Sequence, residues 1–309
     1  MRHVPVLINE VMDALNLKPG MNVIDCTLGD GGHSEKILEA TSPNGKLLGI
    51  DVDPESLLRA KQFLYRFEGR VTYVRENFIH LKKIVEENSF LGVQGILMDF
   101  GWSSPQFADR ERGLSFQNPN ELLDMRFGSS FNTPIFGLNN PTAAELLNTL
   151  THEQLEYIFS AYGEENLSGE IARHIQECRK SKSVETVGDL VEIILQVYRK
   201  KLNTDKEIPW IGGLHPATKV FQALRIAVND ELGVIEKVLP DAIDVLESGG
   251  RLAVITFHSL EDRIVKHYFK SIDEKTIKII SKKPVVCGEQ EYKQNPPSRS
   301  AKLRVIEKL

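Results

Sequence analysis

Short apolar runs alternate with amphipathic stretches over roughly the first third of the chain. The runs at 23–24, 46–50, 70–74 and 93–99 are rich in aliphatic or β-branched residues and are separated by polar turns. Such runs are typical of strands that are buried on both faces of a parallel sheet. Because the intervening stretches have helical spacing, the pattern predicts a doubly wound, Rossmann-like α/β sheet with right-handed crossovers.

The pattern changes after Asp99. From 142 to 202 the apolar residues recur at helical spacing without strand-like alternation, and Thr151 is placed to cap one of the helices. These features predict an all-helical insertion, which we place at 113–213.

The main domain is predicted to consist of 1–112 and 214–309. A helix at 216–232 is expected to return the chain to this domain, with Val220, Leu224 and Val228 forming its apolar stripe. A further helix is predicted at 240–246, and further strands at 251–257, 277–280 and 303–306, with a loop at 284–300 before the last strand.

Three glycines lie between the first strand and a helix that starts at Ser34. Gly29, Gly31 and Gly32 permit backbone conformations that side chains forbid, and they let a ligand approach the main chain closely. Asp51 ends the second strand, where doubly wound folds bind a ribose, and Asp53 is placed to cap the helix that follows. The stretch therefore predicts a binding site for a nucleoside-containing cofactor.

Ligands of such sheets lie beyond the carboxyl ends of the strands. The loop at 25–34 should therefore share one crevice with Asp51, Phe78 and Asp99. Phe78 either packs on an adenine or belongs to the core, and Asp99 is either functional or a solvated turn residue.

Composition narrows the class of protein. The 309 residues are 41% hydrophobic and 26% charged, with a net charge of −5, which is ordinary for a soluble globular protein. This charge does not point to nucleic acid, although a local basic patch would still permit it. No run is long enough to span a membrane, and three widely spaced cysteines provide neither a disulfide framework nor a CxxC metal pair. We expect a cytoplasmic protein.

The acidic residues near the glycines bear on the choice of cofactor. A dehydrogenase would use a similar strand, loop and helix, but Ser34 stands where the third glycine of its motif would fall. Asp25 and Asp30 suit a positively charged cofactor, such as S-adenosyl-L-methionine, better than a diphosphate. A methyltransferase is therefore favoured over a dehydrogenase, with an ordinary strand-to-helix turn as the remaining alternative.

Other chemistries find less support. His258 and Ser259 suggest a hydrolase, but the chain has no GxSxG motif, and no histidines have the spacing of a metal site. Methylation of a pyrimidine carbon generally uses a thiolate, whereas a nitrogen or oxygen acceptor needs only alignment. Asp99 and the loop after it are candidates for holding an acceptor amine.

Several longer runs resemble the MraW family of bacterial ribosomal RNA methyltransferases, in the same order and over essentially the whole chain. The matching runs are 25–34, 50–54, 77–78, 98–106, 111–116, 123–126, 221–229, 257–263 and 299–304.

The resemblance implies a class I methyltransferase domain with an inserted helical domain for substrate recognition. It implies methyl transfer from S-adenosyl-L-methionine to the exocyclic N4 amine of a cytidine in the decoding region of small-subunit ribosomal RNA. The substrate would be the assembled or nearly assembled small subunit, with neither a metal nor a membrane involved. The implied cofactor contacts are Gly31, Gly32, His33, Asp51, Phe78, Asp99 and Gln106.

Substrate contacts are less well defined. The candidates are Trp102, Ser103, Arg112, Arg225, Asn229, His258 and Ser259. Arg225 and Asn229 share one helix face, which is equally consistent with a solvent-facing polar side. Further candidate RNA contacts are Arg110, Arg126, Arg299, Lys302 and Arg304.

The family resemblance does not identify a general base, so we hypothesise that Asp99 positions the amine. The alternatives are a methyltransferase acting on another RNA atom or on a protein, and a noncatalytic RNA-binding assembly factor.

Overall fold

The structure is a computed structural model that describes residues 4–101, 112–127, 134–206, 208 and 213–309. Its contacts divide the chain into two compact units. We call them the sheet unit, formed by 1–103 and 232–309, and the helical unit, formed by 104–231.

The sheet unit contains a seven-stranded sheet with the strand order β3-β2-β1-β4-β5-β7-β6. Strands β1 to β5 pair in parallel, whereas β7 is antiparallel to both β5 and β6. This arrangement confirms the predicted doubly wound, mostly parallel sheet. The strands are β1 (Asn22–Asp25), β2 (Leu47–Asp51), β3 (Val71–Arg75), β4 (Val93–Asp99), β5 (Leu246–Thr256), β6 (Ile277–Ile279) and β7 (Lys302–Lys308).

The helices are numbered in chain order through the described residues. They are α1 (Ile8–Leu15), α2 (Gly32–Ala40), α3 (Pro54–Phe63), α4 (Leu81–Glu87), α5 (Ala143–Thr149), α6 (His152–Ala161), α7 (Ser168–Cys178), α8 (Val187–Leu202), α9 (Thr218–Asn229), α10 (Glu231–Val245), α11 (Ser259–Ser271) and α12 (Glu289–Gln294).

Both faces of the sheet are buried. On β1, Ile24 belongs to a cluster with residues of α4, α10 and α11, whereas Val23 belongs to a second cluster with residues of α1, α2 and α3. Because successive side chains of a strand point to opposite faces, neighbouring aliphatic residues pack into different clusters. The sheet is thus held rigid while its carboxyl ends carry polar groups.

The helical unit has its own apolar core, to which α5 to α9 all contribute. Thr142, Thr151 and Thr186 cap α5, α6 and α8, each in a reciprocal capping box with the residue three positions on. The predicted cap at Thr151 is therefore present.

Helix α9 lies in the helical unit, which corrects the expectation that it returns to the main domain. Its stripe of Val220, Leu224 and Val228 is buried in the core of the helical unit. Asp230 adopts a left-handed conformation (φ 47°) and ends α9 before α10 starts. The division between the units thus falls at 231/232, not at 213/214.

Three helical segments of the sheet unit differ from expectation or were missed. The sequence pattern indicated only the end of α10, because Pro240 resembled a helix start although it lies inside the helix. Helix α11 was missed, and the segment expected to be a loop before β7 contains α12. Among the residues described, no helix combines the length and apolar character needed to cross a membrane.

Candidate functional site

The glycine loop after β1 depends on glycine at three positions. Gly29 and Gly31 have φ values of 51° and 81°, a region that side chains disfavour. A Cβ at Gly31 would lie 3.1 Å from Leu64 Cδ1, and one at Gly32 would lie 2.3 Å from Pro5 Cγ. The missing side chains of Gly31 and Gly32 therefore let the loop pack closely against Leu64 and Pro5 at the N-terminus of α2, for which Gly31 is the cap residue.

Asp51, at the end of β2, is linked to the glycine loop by a hydrogen bond. Its carboxylate accepts hydrogen bonds from the N–H groups of Gly29 and Asp53, both at 2.8 Å. Burial raises the pKa of Asp51 to about 6 despite these bonds. Asp53, rather than Asp51, caps α3 by accepting from Glu55 and Ser56. Asp51 is thus available for a role other than capping.

Asp25 stabilises the glycine loop through hydrogen bonds. It is buried, accepts a hydrogen bond of 2.6 Å from Ser34 Oγ, and accepts a second bond of 3.1 Å from the N–H of Thr27. Burial raises its pKa, while the hydrogen bond from Ser34 and the nearby His33 oppose the shift.

Asp99 is fixed at the end of β4. Its N–H donates to Thr27 Oγ1 at 2.8 Å, and its Oδ1 accepts from the N–H of Gly101 at 2.9 Å. Its Oδ2 lies 3.7 Å from Nδ1 of His33, and the Asp99 side chain is 14% exposed. Burial raises the pKa of Asp99 to about 6, against the opposing effect of His33. A carboxylate held in this way is suited to accepting hydrogen bonds from a bound group.

Phe78 lies in a short 3₁₀ helix, Phe78–His80, which Asn77 caps by accepting a hydrogen bond from Ile79. Its ring is half-buried, packs on the core of the sheet unit, and lies 6.0 Å from the ring of Phe100 between centroids. Phe78 thus packs on the core, which is one of its two expected roles. A contact with adenine stays a prediction.

Asn229 has a structural role in the helical unit. Its buried amide accepts from the N–H of Phe127 at 3.0 Å and donates to the carbonyls of Met125 and Arg225, both at 2.9 Å. Arg225 donates from two nitrogens to the carboxylate of Glu231, at 2.8 and 3.0 Å. The shared helix face is therefore neither a solvated surface nor a free recognition surface, as its spacing alone had allowed.

Arginine side chains elsewhere also have internal partners. Arg112 donates to the carbonyl of Arg126 at 2.7 Å, and Arg126 pairs with Asp124 through two hydrogen bonds. Arg304 is buried and pairs with Asp262 on α11, which argues against its expected contact with RNA. Arg299 is exposed and Lys302 half-buried, so these two remain candidate RNA contacts.

His258 and Ser259 occupy the start of α11. His258 caps the helix in a reciprocal box with Glu261, and its Nε2 lies 3.0 Å from Glu261 Oε1. Ser259 is exposed. His258 thus has a capping role that the sequence analysis missed. Of the remaining candidates, Trp102, Ser103, Gln106 and Arg110 lie outside the described residues.

Comparisons with known proteins identify the family. A sequence model of the MraW methylase family matches residues 1–309. The chain belongs to the MraW methylase family. It is also 40% identical, over 99% of its own length and 99% of the relative, to a ribosomal RNA small subunit methyltransferase H from Clostridioides difficile strain 630.

Solved structures show a weaker likeness to this MraW-family chain. A candidate rRNA methylase from Clostridium thermocellum gives a TM-score of 0.46 at 12% identity and covers 100% of both chains. A candidate methyltransferase from Streptococcus mutans in complex with SAH gives 0.45 at 12% identity and covers 99% of both. Likenesses this weak carry no argument about fold or function.

Membership in the MraW family supports S-adenosyl-L-methionine as the cofactor, and the residues present fit it. Asp25, Asp51 and Asp99 end three neighbouring strands of the sheet. Such carboxylates accept hydrogen bonds from ribose hydroxyls and favour a positive charge, whereas they would repel a diphosphate.

Proposed function

We propose that this protein transfers a methyl group from S-adenosyl-L-methionine to the exocyclic N4 amine of a cytidine in the decoding region of small-subunit ribosomal RNA. The observation that carries the chemistry is the buried carboxylate of Asp99, fixed at the end of β4. The proposed RNA follows from the substrate named for the 40% identical relative.

Asp99 is proposed to accept a hydrogen bond from the amine and so to orient the nitrogen. Thr27 and Gly101 hold the backbone and carboxylate of Asp99 in place, so little reorganisation is needed when the amine arrives. The cofactor would supply a methyl group on a positively charged sulfur. The methyl–sulfur bond would break as the bond to nitrogen forms, leaving a neutral thioether, and the amine would release one proton to solvent. Asp51 is proposed to hold the ribose of the cofactor, and the glycine loop to lie along its amino-acid portion.

Two of the three cysteines, Cys26 and Cys178, favour a nitrogen acceptor over a pyrimidine carbon. Cys26 is fully buried, and burial raises the pKa of its thiol well above the ordinary value. Burial also raises the pKa of Cys178. Thiols that resist ionisation are poor nucleophiles, so covalent addition to the ring by either residue is disfavoured.

Access to the cytidine requires a change in the RNA. A base in folded RNA must leave its stack before its amine can reach a buried carboxylate. We propose that the helical unit recognises the RNA around the target. This is the role expected for the helical insertion in the sequence analysis. Arg299 and Lys302 are proposed to add contacts to phosphate, which would make binding dependent on salt.

The proposal is tested by transfer of a tritiated methyl group to small subunits isolated from cells that lack the modification. Digestion to nucleosides should place the label in N4-methylcytidine within the decoding region. Label in another nucleoside, or in a ribosomal protein, would replace the proposed target. Binding of the cofactor without any transfer would instead favour an assembly factor.

A further inference from the structure

A buried cluster of titratable groups lies behind the glycine loop in the sheet unit. His33 is 7% exposed, and its Nε2 lies 2.9 Å from the carbonyl oxygen of Val6. Because a carbonyl can only accept a hydrogen bond, Nε2 carries a hydrogen. The ring is thereby oriented so that Nδ1 faces Oδ2 of Asp99 at 3.7 Å.

This orientation constrains the protonation of the pair. With a hydrogen on Nε2, a neutral His33 would direct the lone pair of Nδ1 towards a negatively charged oxygen of Asp99, which is repulsive. The arrangement is favourable when the pair holds one further proton. That proton gives either an imidazolium beside a carboxylate or a neutral imidazole beside a carboxylic acid.

We propose that His33 is a positioning residue whose imidazolium keeps Asp99 ionised, so that the Asp99 carboxylate can accept a hydrogen bond from the acceptor amine. The inference deepens the proposed function and rests on the role given there to Asp99. It goes beyond the cofactor contact that the family resemblance implies for His33, because it concerns the imidazole side chain and its effect on a second residue.

The charges around Asp99 show why such a partner matters. Burial is the largest influence on the pKa of Asp99 and raises it; Asp25 at the end of β1 and Glu261 on α11 raise it further. His33 and the N–H of Gly101 act in the opposite direction. Asp25 is itself close to His33, Thr27, Ser34, Cys26 and Asp51. Without a positive charge at His33, this acidic surrounding would favour the protonated form of Asp99.

The test compares the pH dependence of kcat for methyl transfer in the wild type and in His33→Gln, at saturating cofactor. Glutamine retains an N–H donor for the Val6 carbonyl but removes the nitrogen that faces Asp99. The acid limb of the wild-type profile should move upward by about one pH unit or more in His33→Gln, because an opposite charge at this range shifts a carboxyl pKa by that amount. An unmoved limb would overturn the proposal.

His267→Gln is the matched control. His267 is exposed on α11 and lies outside the proposed site, so its profile should coincide with that of the wild type. A shift of equal size in His267→Gln would show that the effect is a general one of removing a histidine.

A second measurement separates this inference from the proposed function. In protein labelled with ¹³C at the aspartate Cγ, the Asp99 signal should titrate at higher pH in His33→Gln than in the wild type, without any RNA substrate. Equal titration midpoints would contradict the proposed effect of His33 on Asp99, even if methyl transfer is confirmed. A shifted midpoint with full activity in Asp99→Ala would retain the pair and refute the role of Asp99.

The wild type alone provides a further test if His33→Gln fails to fold. The ¹⁵N signals of the His33 ring should show a hydrogen on Nδ1 as well as on Nε2 under conditions in which the Asp99 carboxyl is ionised. A bare Nδ1 beside an ionised Asp99 would contradict the proposal.

Discussion

Two pairs of aspartates, one pair in each unit of this protein, have opposite environments. In the sheet unit, burial raises the pKa of Asp51 and Asp99 to about 6. In the helical unit, partial burial is outweighed by hydrogen bonds from Lys182, Thr186 and the backbone, which lower the pKa of Asp189 to about 2. The pKa of Asp124 is also lowered, because hydrogen bonds and charge from Arg126 outweigh the effect of burial.

The contrast distinguishes carboxylates that stabilise the fold from carboxylates that are suited to binding a ligand. Asp189 and Asp124 have cationic partners within their own unit, so their ionised forms stabilise it. Asp51 and Asp99 receive backbone hydrogen bonds, and Asp99 also faces His33, but burial still raises the pKa of both carboxyls. Strongly perturbed carboxylates at the ends of parallel strands are typical of functional sites.

The largest effect is expected for Asn229→Ala in the helical unit. The substitution leaves the N–H of Phe127 and the carbonyl of Met125 without this partner, which should lower the free energy of unfolding by about 2–4 kcal/mol. Urea unfolding measures the loss. Gln222→Ala on the same helix removes one bond, to the Tyr162 carbonyl, and should lose about 1 kcal/mol.

A different outcome for Asn229→Ala would break the comparison. If the variant unfolded like the wild type but lost methyl transfer, Asn229 would be a substrate residue rather than part of the framework of the helical unit.

Asp99→Asn should increase stability at pH 8 while it lowers activity. The folded protein raises the pKa of Asp99 from 3.8 to about 6, so the ionised carboxyl opposes folding above that range by at most about 3 kcal/mol. The asparagine variant avoids this cost. Its advantage should shrink as the pH falls through 6 towards 4, because the wild-type carboxyl then takes up its proton. Unfolding at pH 8 and pH 4.5 measures the difference, and a loss of stability at pH 8 would contradict the account.

Asp51→Ala should weaken binding of S-adenosyl-L-methionine by about tenfold or more, since a ribose hydroxyl would lose a charged acceptor, worth about 1.4 kcal/mol or more. Calorimetric titration measures this affinity. In the wild type the affinity should also fall below pH 6, where Asp51 becomes protonated. Asp51→Asn serves as the conservative control. Unchanged affinity in Asp51→Ala would show that Asp51 does not contribute to cofactor binding.

The smallest effect is expected for Asp189→Asn. Lys182 is exposed, so the ion pair is screened, and the variant should lose less than about 1 kcal/mol at pH 7. Because folding lowers the pKa of Asp189, its contribution is present above the ordinary pKa near 4 and is lost as the pH falls towards 2. The sign is opposite to that of Asp99→Asn, and a gain in stability at pH 7 would remove the contrast between the units.

Local patterns predicted the structure where neighbours in sequence determine it. The first strand, the glycine loop and the cap at Asp53 follow from residues within one turn of each other. The stripe on α9 predicted a buried helix correctly, but an amphipathic pattern does not specify which core the helix joins. For the same reason, Asn229 resembled a surface residue although its amide satisfies backbone groups about a hundred positions away.

The candidate site was predictable in part. Asp51 and Asp99 were identified because each ends a strand. The loop at 25–34 was expected near Asp99, but the contact of His33 with Asp99 and the hydrogen bond from Asp99 to Thr27 were not predicted, because they depend on how β1 and the start of α2 lie beside β4. His258 resembled a reactive residue since its capping role with Glu261 depends on a helix that the pattern did not indicate.

The most direct test of the account is methyl transfer by Asp99→Ala under single-turnover conditions, with cofactor affinity measured in parallel. If Asp99 orients the acceptor amine, the rate at saturating cofactor should fall by about 100-fold or more, beyond any loss of cofactor affinity. A variant that keeps the wild-type rate at wild-type cofactor affinity would contradict the central claim.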